Sequence, residues 1–163
     1  MKTNALGLEI IREFEGCSLK AYQDGSPARL WTIGWGCTHG VHEGMEITQA
    51  EADERLSNAV ASTESVLLLL TAPCLLNENQ FSALVSFCYN VGFGHVAGKD
   101  GFQILKNGDP STMLKLLWAH DYAGAADEFP KWCKVGGVPC AGILRRRMAE
   151  KALFQKEVSD AAN

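Results

Sequence analysis

Near the start of the chain, Glu15, Asp24 and Thr32 have the residue types and spacing for acid-base chemistry on a bound sugar. Glu15 stands before Gly16 at the close of a segment with helical apolar spacing, so it falls in a helix's last turn. The negative end of a helix dipole and the scarce water at a packed helix end both disfavour a carboxylate anion. Glu15 is therefore expected to hold a proton and give it to a leaving oxygen. Asp24 follows nine residues later, in a polar turn where it should stay ionised. Thr32 lies on the segment returning from that turn. A carboxylate and a hydroxyl facing one point can hold and orient a water. An acid and a carboxylate on opposite sides of a sugar hydrolyse a glycosidic bond, with inversion when a gap of about 6.5–9.5 Å admits that water. On spacing alone the set is unspecific, because many chains carry such a trio by chance.

Several elements must position these groups. Asn4 or Thr3 can cap a first helix whose apolar face is Leu6, Ile10, Ile11 and Phe14. Residues 17–47 carry Tyr22, Trp31, Thr32, Ile33 and Trp35. They are punctuated by Gly25, Pro27, Gly34, Gly36, Gly40 and Gly44, which reads as a β-hairpin or three-stranded sheet. Thr48 with Glu51 forms a capping box that opens a long helix over about 48–70, and Pro73 closes it. Further helices are expected over 79–91, 102–106, 110–119 and 143–158, with a Gly/Pro-rich loop over 135–142. The fold class is α+β, in one domain covering 1–163. A small N-terminal lobe (1–47) is joined by a long helix (48–70) to a helical lobe (71–163). A cleft between two lobes is a frequent ligand site.

Composition narrows the class. The chain has 163 residues, 47% hydrophobic and 21% charged, which is ordinary for a globular domain with a sizeable core. Net charge is -4, yet residues 131–163 hold seven Lys/Arg against three acids, a local +4 that leaves -8 for the remainder. Nucleic acid is a poor partner for such a chain, although the basic end can face an anionic polymer or simply water. The first sixteen residues lack an apolar core and a small-residue cleavage site, so no signal peptide is expected. The longest apolar run, 66–76, is eleven residues broken by Thr71 and Pro73, too short for stable membrane insertion. The six cysteines show neither C-x-x-C pairs nor metal-ligand spacing, and read as reduced, small core residues. Cys133 and Cys140 flank a Gly-Gly loop and are the pair best placed for a bridge. Monomer is the default.

The segment Glu15 to Gly36 resembles the active-site signature of the phage-type lysozymes, glycoside hydrolase family 24, whose members are mostly phage or prophage endolysins. That family carries E-G at the first helix end, then Asp, then Thr in T-I-G-x-G; here these are Glu15-Gly16, Asp24 and Thr32-Ile33-Gly34-Trp35-Gly36. NQFSALVSFCYNVG (79–92), FQILKNGD (102–109) and GGVPCAGILRRRMAEKALF (136–154) are similar to later family segments in the same order. The likeness spans about residues 5–155. Two features depart from it. Seven residues separate Asp24 from Thr32 where five are commonest, and Cys37 occupies a slot where many relatives carry His. The ion-pair role of that His does not transfer to His39.

The resemblance implies cleavage of the β-1,4 bond between N-acetylmuramic acid and N-acetylglucosamine in peptidoglycan, without metal or cofactor. Glu15 would act as acid, and Asp24 and Thr32 would hold the water or stabilise the anomeric cation. It also implies accumulation in the host cytoplasm and access to the wall through a holin-type membrane lesion. Secondary candidates for substrate binding are Trp31, Trp35, Asn90 and Arg146. One of the two tryptophans is expected in the core by strand alternation. Asn90 can bind an N-acetyl group or cap a turn. Of Arg145, Arg146 and Arg147, at least two are expected in solvent and one, Arg146, near Glu15. Two other functions stay open: a lytic transglycosylase driven by Glu15 alone, which leaves anhydro ends, and a non-catalytic glycan-binding relic.

Overall fold

The computed structural model describes residues 1–25 and 29–158. Pro27, expected in the hairpin turn, lies outside them.

Helix α1 (Ala5–Glu15) opens on Asn4, whose side chain accepts from Gly7 N, and ends at Gly16 with φ 66°. Its buried face is Gly7 and Ile11, with Leu8 and Ile10 packed beside the core, whereas Leu6 is exposed. Gly7 allows α1 to approach helix α3 (Glu78–Val91), because a Cβ there would sit 2.8 Å from Ser82 Cβ. Strand β1 (Ser18–Gln23) pairs antiparallel with β2 (Trp31–Gly34), with an irregularity between Ser18 and Tyr22. The segment 45–47 runs along the other edge of β1, through Ala21 N to Met45 O and Ile47 N to Leu19 O. The lobe is thus a two-stranded sheet extended by a bridged third segment, between the two forms expected.

Helix α2 (Gln49–Leu70) begins with the Thr48–Glu51 capping box. Near its far end, buried Glu64 ties down the chain's start, accepting from Lys2 Nζ at 2.7 Å and from Thr3 N and Oγ1 at 2.8 Å each. Burial pushes the Glu64 carboxyl up, but these donors push it down further, and it ionises below its ordinary range. A carboxyl that ionises more readily folded than unfolded adds stability above its unfolded pKa; that stability is lost as pH falls through the folded value. Glu64→Gln should therefore flatten the drop in melting temperature on acidification below about pH 4.5. Parallel melting curves for the two proteins on acidification would contradict this.

Helix α3 runs through the middle of the helical body, with every residue from Phe81 to Cys88 buried. It packs on α1, α2 and the closing helix α6 (Ala141–Gln155), and α6 also meets α1. Phe87 makes edge-to-face contacts with Phe102, Phe129 and Trp132 at 6.3, 5.4 and 5.5 Å. Helices α4 (Thr112–Trp118) and α5 (Tyr122–Glu128) cover this core. Helix α5 was not expected from sequence. The helix expected over 102–106 does not form: Phe102 N donates to Gly92 O, and Gln103 N and Ile104 N donate to Phe93 O. Bonding back to the chain after α3 satisfies these amides, so no helical turn is needed. The loop expected over 135–142 holds a small hairpin, β3 (Lys134–Val135) and β4 (Val138–Pro139), and α6 starts two residues earlier than expected, at Ala141. All six cysteines are free; Cys133 and Cys140 close this hairpin through the backbone, Cys140 N to Cys133 O. Among the described residues, no helix is long and apolar enough to cross a membrane.

Candidate active site

Glu15 stands at the last position of α1, and its side chain is 19% exposed. Oε1 accepts from Arg146 Nη1 at 2.5 Å. Oε2 faces Gly36 so closely that a Cβ there would lie 2.9 Å away. Gly36 also has φ 88°, so only glycine fits both the backbone shape and the approach. The acid is thus clamped between α6 and the turn that follows β2.

That turn is held from outside. Ile33 and Cys37 exchange backbone hydrogen bonds, and Tyr89 of α3 donates its phenol proton to Trp35 O at 2.7 Å. Burial pushes the Tyr89 phenol and the neighbouring Cys37 thiol up, so both stay protonated at neutral pH. His39 is exposed.

Arg146 is almost fully buried and spends its nitrogens on the protein. Nη1 holds Glu15, Nε donates to Glu150 Oε1 at 3.1 Å, and Nη2 to Ser86 O at 3.2 Å. It holds Glu15 in place, and it also borders the cavity beside that carboxylate. Arg147 is buried as well, so only Arg145 of the three is exposed, against the expectation of two in solvent. The reason is Glu150, three and four residues further along α6, which faces both guanidiniums. Its Oε1 accepts from Arg146 Nε, from Arg147 Nη2 at 3.1 Å and from Ser86 Oγ at 2.8 Å. Its Oε2 lies 2.9 Å from Arg147 Nε, off line for a hydrogen bond. Arg147 stacks its guanidinium 4.8 Å from the Phe87 ring centre, a cation–π contact that offsets the burial of a charge. Burial brings Arg147 down to about 10 and pushes the Glu150 carboxyl up.

Asn90, at the end of α3, accepts from Arg147 Nη2 through Oδ1 at 3.0 Å. Asn90, Glu15 and Arg146 line one open cavity of about 740 Å³, together with Phe14, Ile143 and Arg145. Its remaining walls come from α1, from α6 and from Cys140 just before α6. Among the described residues, neither Asp24 nor Thr32 belongs to that lining.

Asp24 and Thr32 are brought together on the hairpin by Leu30. Asp24 N donates to Leu30 O at 2.9 Å, Leu30 N donates to Asp24 Oδ1 at 2.9 Å, and Thr32 Oγ1 donates to the same Leu30 O at 3.2 Å. Thr32 is buried and Asp24 half-buried. The hairpin meets Glu15 at Gly36, four residues beyond Thr32 on the same strand and turn. Trp31 opens β2, half-buried, opposite Gln23. Trp35 turns toward α2, where Nε1 donates to Asp53 Oδ1 at 2.8 Å; its ring packs on the core and Arg12 lies 5.8 Å from the ring centre. Its polar atom and its faces are thus engaged within the protein.

Residues 12–150 match the phage lysozyme family profile. The chain is 38% identical over 159 residues to an endolysin of Acyrthosiphon pisum secondary endosymbiont phage 1, covering 95% of this chain and 99% of that one. It is 37% identical to an endolysin of Lactococcus phage c2 over all of this chain but 64% of the relative, so it spans about two thirds of that protein. Among solved structures, the active form of the P1 phage endolysin aligns with a TM-score of 0.77 at 25% identity, covering 94% of this chain and 85% of that one.

Proposed function

The chain belongs to the phage lysozyme family, and from that membership we propose that it is an endolysin hydrolysing the β-1,4 bond between N-acetylmuramic acid and N-acetylglucosamine in peptidoglycan. The observation that carries this reading is the clamped Glu15, with Arg146 on one carboxylate oxygen, Gly36 against the other, and an open cavity beside it. A fixed carboxyl group bordering a cavity is what proton delivery to a glycosidic oxygen requires.

Glu15 protonates the bridging oxygen as the bond to the anomeric carbon breaks. Asp24 and Thr32, joined through Leu30, hold the water that attacks from the opposite face, and the anomeric centre inverts. Asp24 keeps negative charge near the developing oxocarbenium. Asn90 offers its amide N–H to an N-acetyl carbonyl while Arg147 fixes its oxygen. Trp31 supplies a ring edge along the strand path. The protein acts as a monomer and reaches the wall through a lesion made by another protein in the host membrane.

Mass spectrometry of muropeptides released from purified sacculi tests the reaction. The expected products carry reducing N-acetylmuramic acid ends. Anhydro ends would replace this reading with a transglycosylase, and intact sacculi after prolonged incubation would leave only a binding role.

A further inference from the structure

The small hairpin before α6 sets two thiols opposite each other. Gly136 and Gly137 both have positive φ, 57° and 85°, as a tight two-residue hairpin turn requires. That turn pairs Val135 with Val138 and Lys134 with Pro139. The next rung of the same ladder is Cys133 opposite Cys140, joined by Cys140 N to Cys133 O at 2.8 Å. Residues directly opposite in an antiparallel pair have Cα atoms about 4.5–5.5 Å apart and side chains on one face. A disulfide spans Cα separations of about 4.4–6.8 Å, so the backbone already has the shape that the bond needs. Both cysteines are free and half-buried, and Cys140 borders the open cavity beside Glu15, which a small reagent can enter. Among the described residues, no other two cysteines sit opposite each other on paired strands.

The same hairpin is the exposed link to a helix on which the clamp at Glu15 depends. Every residue from Lys134 to Pro139 is exposed. Exposed turn tips are preferred sites of proteolytic cleavage. A cut after Lys134 puts α6 on a separate piece, and with it Arg146, which holds Glu15. We propose that Cys133 and Cys140 are a redox modification site, closing to an intramolecular disulfide that keeps α6 attached when the hairpin is cut. The oxidant is itself a disulfide, small or protein-borne. The Cys140 thiolate attacks one of its sulfurs and expels the other as a thiolate. The Cys133 thiolate then attacks Cys140 Sγ and releases the second. The two protons shed by the cysteines go to the two released thiolates, so the protein loses two hydrogens and the oxidant becomes two thiols. Disulfides persist in oxidising compartments such as the bacterial periplasm and are rare in a reducing cytosol. The timing of closure therefore rests on the proposed passage to the wall: open thiols during accumulation, a closed link outside the cytoplasm.

In the test, the full chain is reduced, freed of reductant, incubated with oxidised glutathione and then cut briefly with trypsin. Peptide mapping without reduction should find Cys133 joined to Cys140, with the mass of two hydrogens lost. The linked chain should melt about 5 °C above the reduced one, the scale for closing so short a loop in a chain of this length. After cleavage at Lys134, the linked form should run as one species on a non-reducing denaturing gel and clear permeabilised cells at the rate of the uncut chain. The reduced form and Cys133→Ser, cut at the same bond, should release the C-terminal piece and clear about 10²-fold more slowly, the scale for a misplaced catalytic group. Glutathione-capped thiols, or bonds from either residue to another cysteine, in place of the Cys133–Cys140 bond would overturn the proposal. So would equal clearing by cut chains with and without that bond, since α6 would then need no staple. Absence of clearing by the uncut chain in both redox states would instead sink the muramidase reading, while the mapping and the gel would still decide on the link.

Discussion

Glu15→Gln is expected to lower kcat for wall hydrolysis by about 10³-fold, within the range that a positioned proton donor supplies. The amide matches the carboxyl in size, and its oxygen can still accept from Arg146 Nη1, so the clamp on the side chain survives. What is lost is the transferable proton. Turbidity clearing of outer-membrane-permeabilised cells should stop, while the melting temperature and binding to purified glycan stay close to wild type. Arg146 keeps a second anion in Glu150, so it is not left without a counterion. Clearing at the wild-type rate by this variant would remove Glu15 from the role of acid.

The second large effect concerns stability. Glu150→Gln should cost about 3–5 kcal/mol, the range for removing one partner of a buried ion pair. Glu150 is fully buried, as is Arg147, and Arg146 is nearly so. The substitution keeps an acceptor for Ser86 and Arg146 but takes away the charge between two buried guanidiniums, which then repel each other. For a chain of this length that corresponds to a fall in melting temperature of about 10 °C. A thermal melt followed by far-ultraviolet circular dichroism measures it, and a fall of under about 2 °C would show that the guanidiniums find other partners. Activity per folded molecule should fall as well, because Arg146 Nε loses the charge that orients the group holding Glu15.

The readable parts of the fold were those with local signals. Asn4, Gly16 and the Thr48–Glu51 box announce helix ends within four residues, and the structure places α1 and α2 where those caps predict. The 102–106 segment misled because the Asn107-Gly108 turn looks like a helix stop, whereas the amides of Phe102, Gln103 and Ile104 bond to Gly92 and Phe93, a pairing with no mark in the sequence. Helix α5 escaped because it is short and has Gly124 in its first turn, although Asp121 does cap it. Around the candidate site, the position of Glu15 at the close of α1 was legible from Gly16. The approach of Arg146 to Glu15 was expected from the family resemblance, but the burial of Arg147 was not, since three consecutive arginines look like a wet surface. The one available sign was Glu150 at helical spacing from both. Tyr89 and Ser86 act through one contact each across the fold, and such contacts leave no pattern in the chain.

Glu15 and the guanidinium that holds it are separated by 131 residues. During translation the segment from Glu15 to Gly36 is complete long before Arg146 is made. At about 5–20 residues per second, roughly ten seconds pass between the two on the ribosome. Through that interval the nascent chain carries every residue of the signature but lacks the helix that fixes the acid. Premature stop codons upstream of α6, and proteolytic nicking in the β3–β4 hairpin with loss of the C-terminal piece, should likewise yield fragments that retain the signature and cannot cut.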